Sequence, residues 1–301
     1  MNLFETAVRG FFWPVAVGSL FLLPLLGMGV LLHRMRREYQ AIAAEPFTQL
    51  PLRPPGESLR LAIEKMNEEL DDHILTVTAV GAIASVVTIM APLAHRWAVA
   101  LVMVAATVLV TFWKWRKLKI LIRRLWDYRL GFTGERVVGE ELNQLLASGF
   151  RVFHDVPFDG FNIDHVLVGT PGVYAVETKT RRKPADVQGP EKARVTFDGE
   201  TLTYPKGYVD RRALEQARRN TRTLEEWLTK ACGERLVANA ILTLPGWWVE
   251  RRAVGDVNVL NPDEIKRSFP QRPRQTLSAP QIERISYQLT ERCRLQREPK
   301  A

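Results

Sequence analysis

Three long apolar runs dominate the first part of the chain. No residue is charged from Phe11 to Leu32, from Ile74 to Ala94, or from Trp97 to Trp113. A helix over the first run would be about 33 Å long, enough to cross a bilayer core of about 30 Å. The second and third runs are separated by two residues, with Pro92 close to the break, which predicts a helical hairpin. We therefore expect an N-terminal all-α transmembrane region with three membrane-spanning helices.

Two other interpretations of these runs compete with membrane insertion. A cleaved signal peptide is disfavoured for the first run because the run is long, no small-residue cleavage site follows it, and its basic cluster HRMRR comes after it. The third run is the shortest and would also suit a buried helix of a soluble protein. Globular helices as long as the other two normally carry a polar face. Membrane insertion is therefore the favoured interpretation.

Basic clusters predict the orientation of the spans. HRMRR follows the first run and KWRKLKILIRR follows the third. Since cytoplasmic loops are enriched in lysine and arginine, three spans place both clusters in the cytoplasm if the N-terminus is outside. We expect a multi-pass protein of the plasma (inner) membrane with a cytoplasmic C-terminal domain. Much of the net charge of +9 lies in Lys114–Arg129, which we expect to contact anionic lipid head groups.

The same pattern divides the chain into segments. We predict the first transmembrane helix in residues 1–36 (span about 11–32), a proline-rich linker and amphipathic helix in 37–73, the transmembrane hairpin in 74–113, a basic juxtamembrane helix in 114–130, and a cytoplasmic domain in 131–301. The domain boundary is set by Gly131 and Gly134, which interrupt the helical pattern. Two isolated cysteines predict neither a disulfide framework nor a zinc site.

The last segment alternates helices and strands. We predict, in order, a helix (133–148), three strands (around 150–156, 162–168 and 172–179), a hairpin RVTF-DG-ETLTY with a type I′ turn at Asp198-Gly199, a helix (210–231), strands at 238–244 and VNVL, and two closing helices, the last capped by Ser278. A helix, a three-stranded meander, a helix and a further strand make a compact α/β unit.

Charged residues stand at the end of two apolar strands in DHVLVGTPGVYAVETK. Alternation along a strand puts Glu177 and Lys179 on one face, and the TPG turn can set Asp164 beside Glu177. Two carboxylates at a strand end attract a hard cation such as Mg²⁺ or Mn²⁺, and Lys179 would orient or activate a water bound to it. This chemistry suits hydrolysis of a phosphodiester. An ordinary cross-strand ion pair is the alternative interpretation.

Two helices carry polar residues at their apolar stripes. Glu135 falls in the centre of a stripe, and Glu140 falls on the opposite face; the stripe is Val138, Leu142, Leu145 and Leu146. A carboxylate on a core-facing stripe is costly unless it has a partner or a metal nearby. In the later helix, Gln216 and Asn220 flank the stripe of Leu214, Ala217, Thr221, Leu224 and Leu228. These amides either reach a cleft or are simply exposed.

The runs GERVVGEEL, FHDV, NIDHVLVGTPGVYAVETKT and EQARRN resemble the NERD (nuclease-related) domain over roughly residues 131 to 260. That family is grouped with the PD-(D/E)xK nucleases, so the resemblance implies a restriction-endonuclease-like αβα core. It also implies roles for individual residues: Glu135 as the acid of the first helix, Asp164 and Glu177 as metal ligands, Lys179 as the ExK lysine, and Gln216 as the glutamine of the later helix. His165 departs from the pattern, and we interpret it as a packed histidine on the opposite face.

The resemblance makes nucleic acid the expected partner, with DNA favoured over RNA. Basic residues near the ExK strand and on the later helix would bind backbone phosphates without reading sequence: Arg181, Arg182, Lys183, Arg212 and Arg219. From residue 131 onward there are 27 basic and 23 acidic residues, so no strong electrostatic footprint distinguishes these residues from ordinary solvated charges.

We therefore expect a membrane-anchored, metal-dependent nuclease. Two functions of other classes compete with it. One is a module of the same fold that binds nucleic acid or a nucleotide without cutting it, and the other is a membrane scaffold.

Overall fold

The computed structural model describes residues 49–90, 97–265 and 274–295, together with five positions between 27 and 35. The chain forms two compact units. One comprises Met1–Thr48 and Lys65–Arg124, and the other comprises Gln49–Glu64 and Leu125–Ala301. The unit that contains the predicted nuclease domain thus begins earlier than residue 131, because it also includes part of the proline-rich segment.

Parts of two long helices make up most of the described first unit. Helix α1 is Glu57–Met90 and helix α2 is Trp97–Asn143. Their apolar side chains are exposed within this unit; Leu75 is 67% exposed and Leu101 is 72% exposed. Hydroxyl groups are satisfied inside the helices, as where Thr78 donates to the carbonyl of Ile74 at 2.9 Å. Exposed apolar surface with internally bonded hydroxyls suits a lipid environment.

One helix among the described residues, Glu57–Val87, is long and apolar enough to cross a membrane. It contains most of the second predicted run, and 6% of its most apolar stretch is buried. The third run, 97–113, opens helix α2. The first predicted span falls almost entirely outside the described residues, as does the hairpin tip at 91–96. The three-span topology and its orientation therefore stay predictions.

The second unit is built on two sheets. The strands of its described part are β1 (Arg151–Phe158), β2 (Phe161–Gly169), β3 (Gly172–Thr178), β4 (Arg194–Phe197), β5 (Leu202–Thr203), β6 (Val209–Asp210), β7 (Ala238–Thr243), β8 (Trp248–Arg251) and β9 (Val257–Leu260). The main sheet has the order β1-β2-β3-β7-β9, and the smaller sheet has the order β6-β5-β4-β8. In the main sheet, β1 to β3 form an antiparallel meander, and β7 and β9 extend it in parallel.

Helices cover both faces of the main sheet. The C-terminal part of α2 packs Val138 and Leu142 against Leu167 and Tyr174. The opposite face is covered by α3 (Arg212–Cys232) and α4 (Ala279–Cys293), which contribute Leu224, Leu228, Ile285 and Leu289 to the core on that face. This layering confirms the predicted α/β core. The five predicted apolar positions of the later helix are buried, and Ser278 forms a capping box with Gln281 at the start of α4.

The predicted break at Gly131 and Gly134 is wrong, because α2 runs through both residues. A Cβ at position 134 would collide with the Thr180 side chain, and one at position 131 would lie 3.3 Å from Cδ1 of Leu59. These glycines therefore allow close packing of neighbouring segments against the helix instead of ending it. The end of the predicted stripe also differs: Leu146 is 53% exposed because the chain tightens into a 3₁₀ helix at Gln144–Ser148.

The predicted type I′ turn at Asp198-Gly199 is also wrong. The β4 and β5 ladder ends at Phe197 opposite Leu202, which leaves a four-residue loop. A type I′ turn requires positive φ at both central residues, but of this pair only Gly199 has it, at +99°. The Asp198 carboxylate instead accepts hydrogen bonds from the backbone N–H groups of Glu200 and Thr201, at 2.9 and 2.6 Å. The connection is thus a four-residue loop stabilised by the Asp198 carboxylate, and not a two-residue type I′ turn.

We predict that Gly134→Ala destabilises the second unit. The added methyl group meets the Thr180 side chain, and overpacking of this kind costs about 1–3 kcal/mol. Thermal unfolding of the detergent-solubilised full chain measures the effect. Gly81→Ala is the matched control, because a Cβ at this helical glycine has nothing within 4 Å. A Gly134→Ala protein that melts with the control would contradict the close contact.

Candidate active site

Asp164 and Glu177 meet at the end of the β2 and β3 ladder. The last paired residues there are His165 and Val176, so Asp164 and Glu177 come next on the two strands. The backbone N–H of Thr178 donates to Oδ2 of Asp164 at 2.6 Å. This bond holds the aspartate across the end of β3. The structure thus brings the two predicted carboxylates together through the TPG turn.

Glu177 is held on both of its oxygens. Its side chain is 3% exposed, and Oε1 lies 2.8 Å from Nζ of Lys179. Oε2 accepts a hydrogen bond from Nδ2 of Asn220 at 2.7 Å. Gln216, which the resemblance favours, is half-buried one turn earlier on α3. The sequence placed both amides on the same flank, and the structure shows that Asn220 makes the contact.

Three carboxyl groups in this region have raised pKa values. Burial, with Asp155 and Glu177 nearby, raises the pKa of Glu135 to about 8. Burial, with Glu177 and Glu135 nearby, raises the pKa of Asp164 well above its ordinary value. Burial also raises the pKa of Glu177, although Lys179 opposes the effect. Each carboxyl group resists losing its proton chiefly because burial disfavours its charged form, and at Glu135 and Asp164 neighbouring carboxylates add to the effect.

Lys179 remains the cation of this group. Burial works against its charged form, but the adjacent Glu177 outweighs burial, and the pKa of Lys179 is raised. Asp164 and Asp210 act in the same direction. The side chain is 35% exposed, and its ammonium nitrogen is the atom that contacts Glu177. An ammonium in this position can donate to a bound anion.

A further carboxylate, Asp155 of the FHDV run, is buried in this region. The sequence patterns do not predict its burial. Asp155 is 1% exposed and has a φ of +48°, unusual for a residue other than glycine. Its carboxylate accepts hydrogen bonds from Nε of Arg53 at 2.7 Å and from Oγ of Ser58 at 2.5 Å. Both donors belong to Gln49–Ser58, which we call the strap. The paired residues on either side place Asp155 opposite Asp164.

The strap is docked by further contacts. The N–H of Arg53 donates to the carbonyl of Cys293 at 2.9 Å, and the N–H of Leu295 donates to the carbonyl of Pro51 at 3.1 Å. A Cβ at Gly139 would lie 2.5 Å from Cγ of Pro55. The segment predicted to be a proline-rich linker therefore packs on the same unit as the carboxylates.

Two buried histidines lie beside the carboxylates. Nδ1 of His154 is 2.9 Å from Nδ1 of His165, and Nε2 of His154 is 3.0 Å from Oδ1 of Asn143. Burial lowers the pKa of His154 to about 4 and lowers the pKa of His165 well below its ordinary value. Both rings are therefore neutral near pH 7. His165 is a packed core residue, as expected from its position next to Asp164 on the other face.

The five predicted phosphate-binding residues fall into different surroundings. Arg219 is close enough to lower the pKa of Glu177. Arg182 instead pairs with Asp127 at 2.6 Å. All five residues are exposed, including Arg181, Lys183 and Arg212. The charge of Arg219 thus acts on the candidate site, whereas that of Arg182 is paired at the surface.

The donor set limits which metal these residues suit. Within the described part of the chain, no group of three or more His, Cys, Asp or Glu side chains is arranged to hold a metal ion. Asp164 and Glu177 supply two carboxylates, and Oδ1 of Asp164 is not used by the bond to Thr178. Mg²⁺ is often held by one or two carboxylates, with water and substrate phosphate completing its shell. The residues therefore fit Mg²⁺ or Mn²⁺ better than zinc.

Comparison with protein families identifies the segment that carries this site. Residues 130–251 match the family described as the nuclease-related domain, NERD. This segment is a NERD domain. It contains Glu135, Asp164, Glu177, Lys179 and Asn220, whereas the strap and α4 lie outside the match. Searches of curated proteins and of solved structures found no match for the chain.

We predict that Arg53→Ala destabilises the NERD domain by about 2–4 kcal/mol, because it leaves the buried Asp155 charge without its cation. Equilibrium unfolding of the full chain in detergent measures the loss. Arg182→Ala is the control: its partner Asp127 is 66% exposed and Arg182 itself 56%, so the loss should be under about 1 kcal/mol. Equal losses in the two variants would mean that the strap contact contributes no more than a surface pair.

We also predict that the chelator-treated protein loses stability as the pH rises from 6.5 to 8. The folded state keeps the proton of Glu135 up to about pH 8, but the unfolded chain releases it near pH 4.5, so deprotonation favours unfolding in this window. The histidines act below pH 6.5, with the opposite sign. A loss of about 1–2 kcal/mol is expected from Glu135 over this range, and Glu135→Gln should flatten the profile. Parallel melting curves for both proteins would contradict the assignment.

Proposed function

We propose that this protein is a membrane-anchored nuclease that hydrolyses phosphodiester bonds of nucleic acid in the cytoplasm. The observation that carries the proposal is the convergence of Glu135, Asp164 and Glu177 around Lys179 in a NERD domain. The match of residues 130–251 to the nuclease-related domain supports phosphodiester hydrolysis as the class of reaction. The raised pKa values mark the same residues as a site with unbalanced negative charge, which is common at functional sites.

Asp164 and Glu177 are the proposed ligands of Mg²⁺ or Mn²⁺. When bound, such an ion supplies a water nucleophile and offsets the charge that grows on the phosphate. The protein residues fit this role because both are oxygen donors and because a cation would favour the ionised forms that burial, and at Asp164 also the neighbouring carboxylates, now disfavours. The N–H of Thr178 and the amide of Asn220 fix the two carboxylates in place.

Lys179 is the proposed residue that acts on the substrate. Its ammonium stays protonated and partly exposed beside Glu177. In this position it can donate a hydrogen bond to a phosphate oxygen or orient the attacking water. Arg219 adds positive charge on the same side. Glu135, on α2, is proposed as the acid of the helix that precedes the sheet. Gln216, one turn from Asn220 on α3, stays a candidate for contact with the substrate.

The membrane assignment has its own support. Helix Glu57–Val87 has the length and composition of a transmembrane segment. The basic stretch after Trp113 places lysine over tryptophan rings, with Nζ of Lys117 4.0 Å from the ring centre of Trp113. Lysines and tryptophans together are typical of the lipid interface. We propose that Lys114–Arg129 contacts anionic lipid and that the NERD domain faces the cytoplasm.

A binding module without catalytic activity is the second candidate. It is favoured by the two-carboxylate donor set among the described residues and by the engagement of both Glu177 oxygens. Binding of nucleic acid that is unchanged by EDTA, with no cleavage under any metal condition, would support this function. A scaffold role would be supported if Lys179→Ala left the biological function intact.

We predict that the full chain in detergent cleaves DNA or RNA with Mg²⁺ or Mn²⁺ and not with EDTA. Glu177→Ala and Lys179→Ala should each lower the cleavage rate at least 100-fold, since each removes a group that acts on the transition state. Labelled single- and double-stranded oligonucleotides resolved on denaturing gels measure the rates. The full chain is needed because the strap lies outside residues 131–301.

Glu140→Gln is the matched control. Glu140 lies on the same helix as Glu135 but is 68% exposed and pairs with Arg136 at 3.5 Å, so this variant should cleave like the wild type. Absence of cleavage of every substrate with both metals would exclude the nuclease function.

A further inference from the structure

An exposed tyrosine stands at the turn between β5 and β6. Tyr208 is 48% exposed, whereas Tyr204, at the other end of the turn, is 4% exposed. The N–H of Tyr204 donates to the carbonyl of Tyr208 at 2.8 Å, which closes the turn. Within the turn Lys206 has a φ of +65° and forms an ion pair with Asp186. The position of Tyr208 is therefore fixed, although much of its surface is open to solvent.

Arg181 is held between the two tyrosine rings. Its guanidinium carbon lies 3.9 Å from the ring centre of Tyr208 and 4.8 Å from that of Tyr204. Tyr204 packs edge to face against Trp247, with ring centres 5.0 Å apart. Nε1 of Trp247 donates to the carbonyl of Arg181 at 3.3 Å. The arginine is thus ordered by contacts to its side chain and its backbone, and binding a ligand costs it little conformational entropy.

This aromatic and basic group lies next to the candidate active site. Arg181 is two residues beyond Lys179, and its NH2 is 3.8 Å from Oδ2 of Asp210. The charge of Asp210 in turn acts on Lys179. A nucleic acid chain bound at Lys179 would therefore pass close to Arg181, whose guanidinium lies against the Tyr208 ring.

We propose that Tyr208 and Arg181 form a binding site for an unstacked base and its phosphate, and that the substrate of the domain is single-stranded nucleic acid. One face of the Tyr208 ring is covered by the guanidinium, and the exposed part of the ring can stack on a base. Arg181 is 38% exposed, so it can also contact the backbone phosphate. The substrate assignment rests on the proposed nuclease function, whereas the binding site does not require cleavage.

A single strand fits these residues better than a duplex. Inside a duplex both faces of each base are covered by neighbouring bases, and a protein reaches the base edges in the grooves. An aromatic ring can stack on a base when that base is outside the stack, as it is in a single strand. DNA and RNA share this chemistry, so both are used in the test.

Binding of 12-mer oligonucleotides to the full chain in detergent tests the proposal. The probes are fluorescein-labelled single strands of DNA and of RNA and the matching duplexes, all in EDTA. Loss of one base stack weakens binding by between about 5-fold and 100-fold, and this loss is expected for Tyr208→Ala with single strands and not with duplexes. Tyr208→Phe should bind like the wild type. Tyr287→Ala is the control, because Tyr287 is 64% exposed on α4.

Photocrosslinking gives a second measurement. With 5-iodouracil in the single strand, the crosslinked peptide should contain Tyr208, and the crosslink should be lost in Tyr208→Ala and kept in Tyr208→Phe. The proposal is overturned if the wild type binds no single strand, if Tyr208→Ala binds like the wild type, or if duplex binding falls as much as single-strand binding. Binding that depends on Tyr208, with no cleavage in Mg²⁺ or Mn²⁺, supports this site and excludes the nuclease function.

Discussion

The burial of Glu177 beside Lys179 is the interaction on which the site depends. A carboxylate that is 3% exposed needs partners, and Lys179 and Asn220 supply one for each oxygen. Lys179 directly follows β3 and Asn220 belongs to helix α3, so the contact requires the helix to pack on the sheet at one position. The same position brings Arg219 towards the carboxylates. The site therefore assembles only when the αβα layers pack in this arrangement.

The strap supplies the hydrogen-bond donors of a second buried carboxylate, that of Asp155. Asp155 lies opposite Asp164, and its negative charge already helps to raise the pKa of Glu135, so this carboxylate needs a cation of its own. Arg53 and Ser58 bind it, and the unusual φ of Asp155 is maintained by these contacts. Because both donors precede helix α1 or open it, the NERD domain depends on residues far from it in sequence. Residues 130–251 alone do not contain everything that holds their own site together.

Local patterns predicted the parts of the fold that depend on local rules. Period-two alternation and the TPG turn placed Asp164, Glu177 and Lys179 correctly, and helical phase correctly buried Glu135. The errors came from tertiary contacts. The sequence predicts a helix break at Gly134 because it does not show the close approach of Thr180. It predicts a linker at the strap because the residues that the strap contacts lie about 100 positions away. Spacing alone could not choose between Gln216 and Asn220, since both lie on one flank.

The charges around the site do not balance within the protein. Glu135, Asp164 and Glu177 share the partly exposed ammonium of Lys179, and the charge of Arg219 also acts on Glu177. The histidine pair offers no compensation, because both rings have lowered pKa values and stay neutral, and Arg53 is already committed to Asp155. The remaining negative charge must be met by protons or by a cation from solution. Protonation and binding of a divalent ion would both reduce it, so the raised pKa values and the proposed Mg²⁺ site are two responses to the same buried carboxylates.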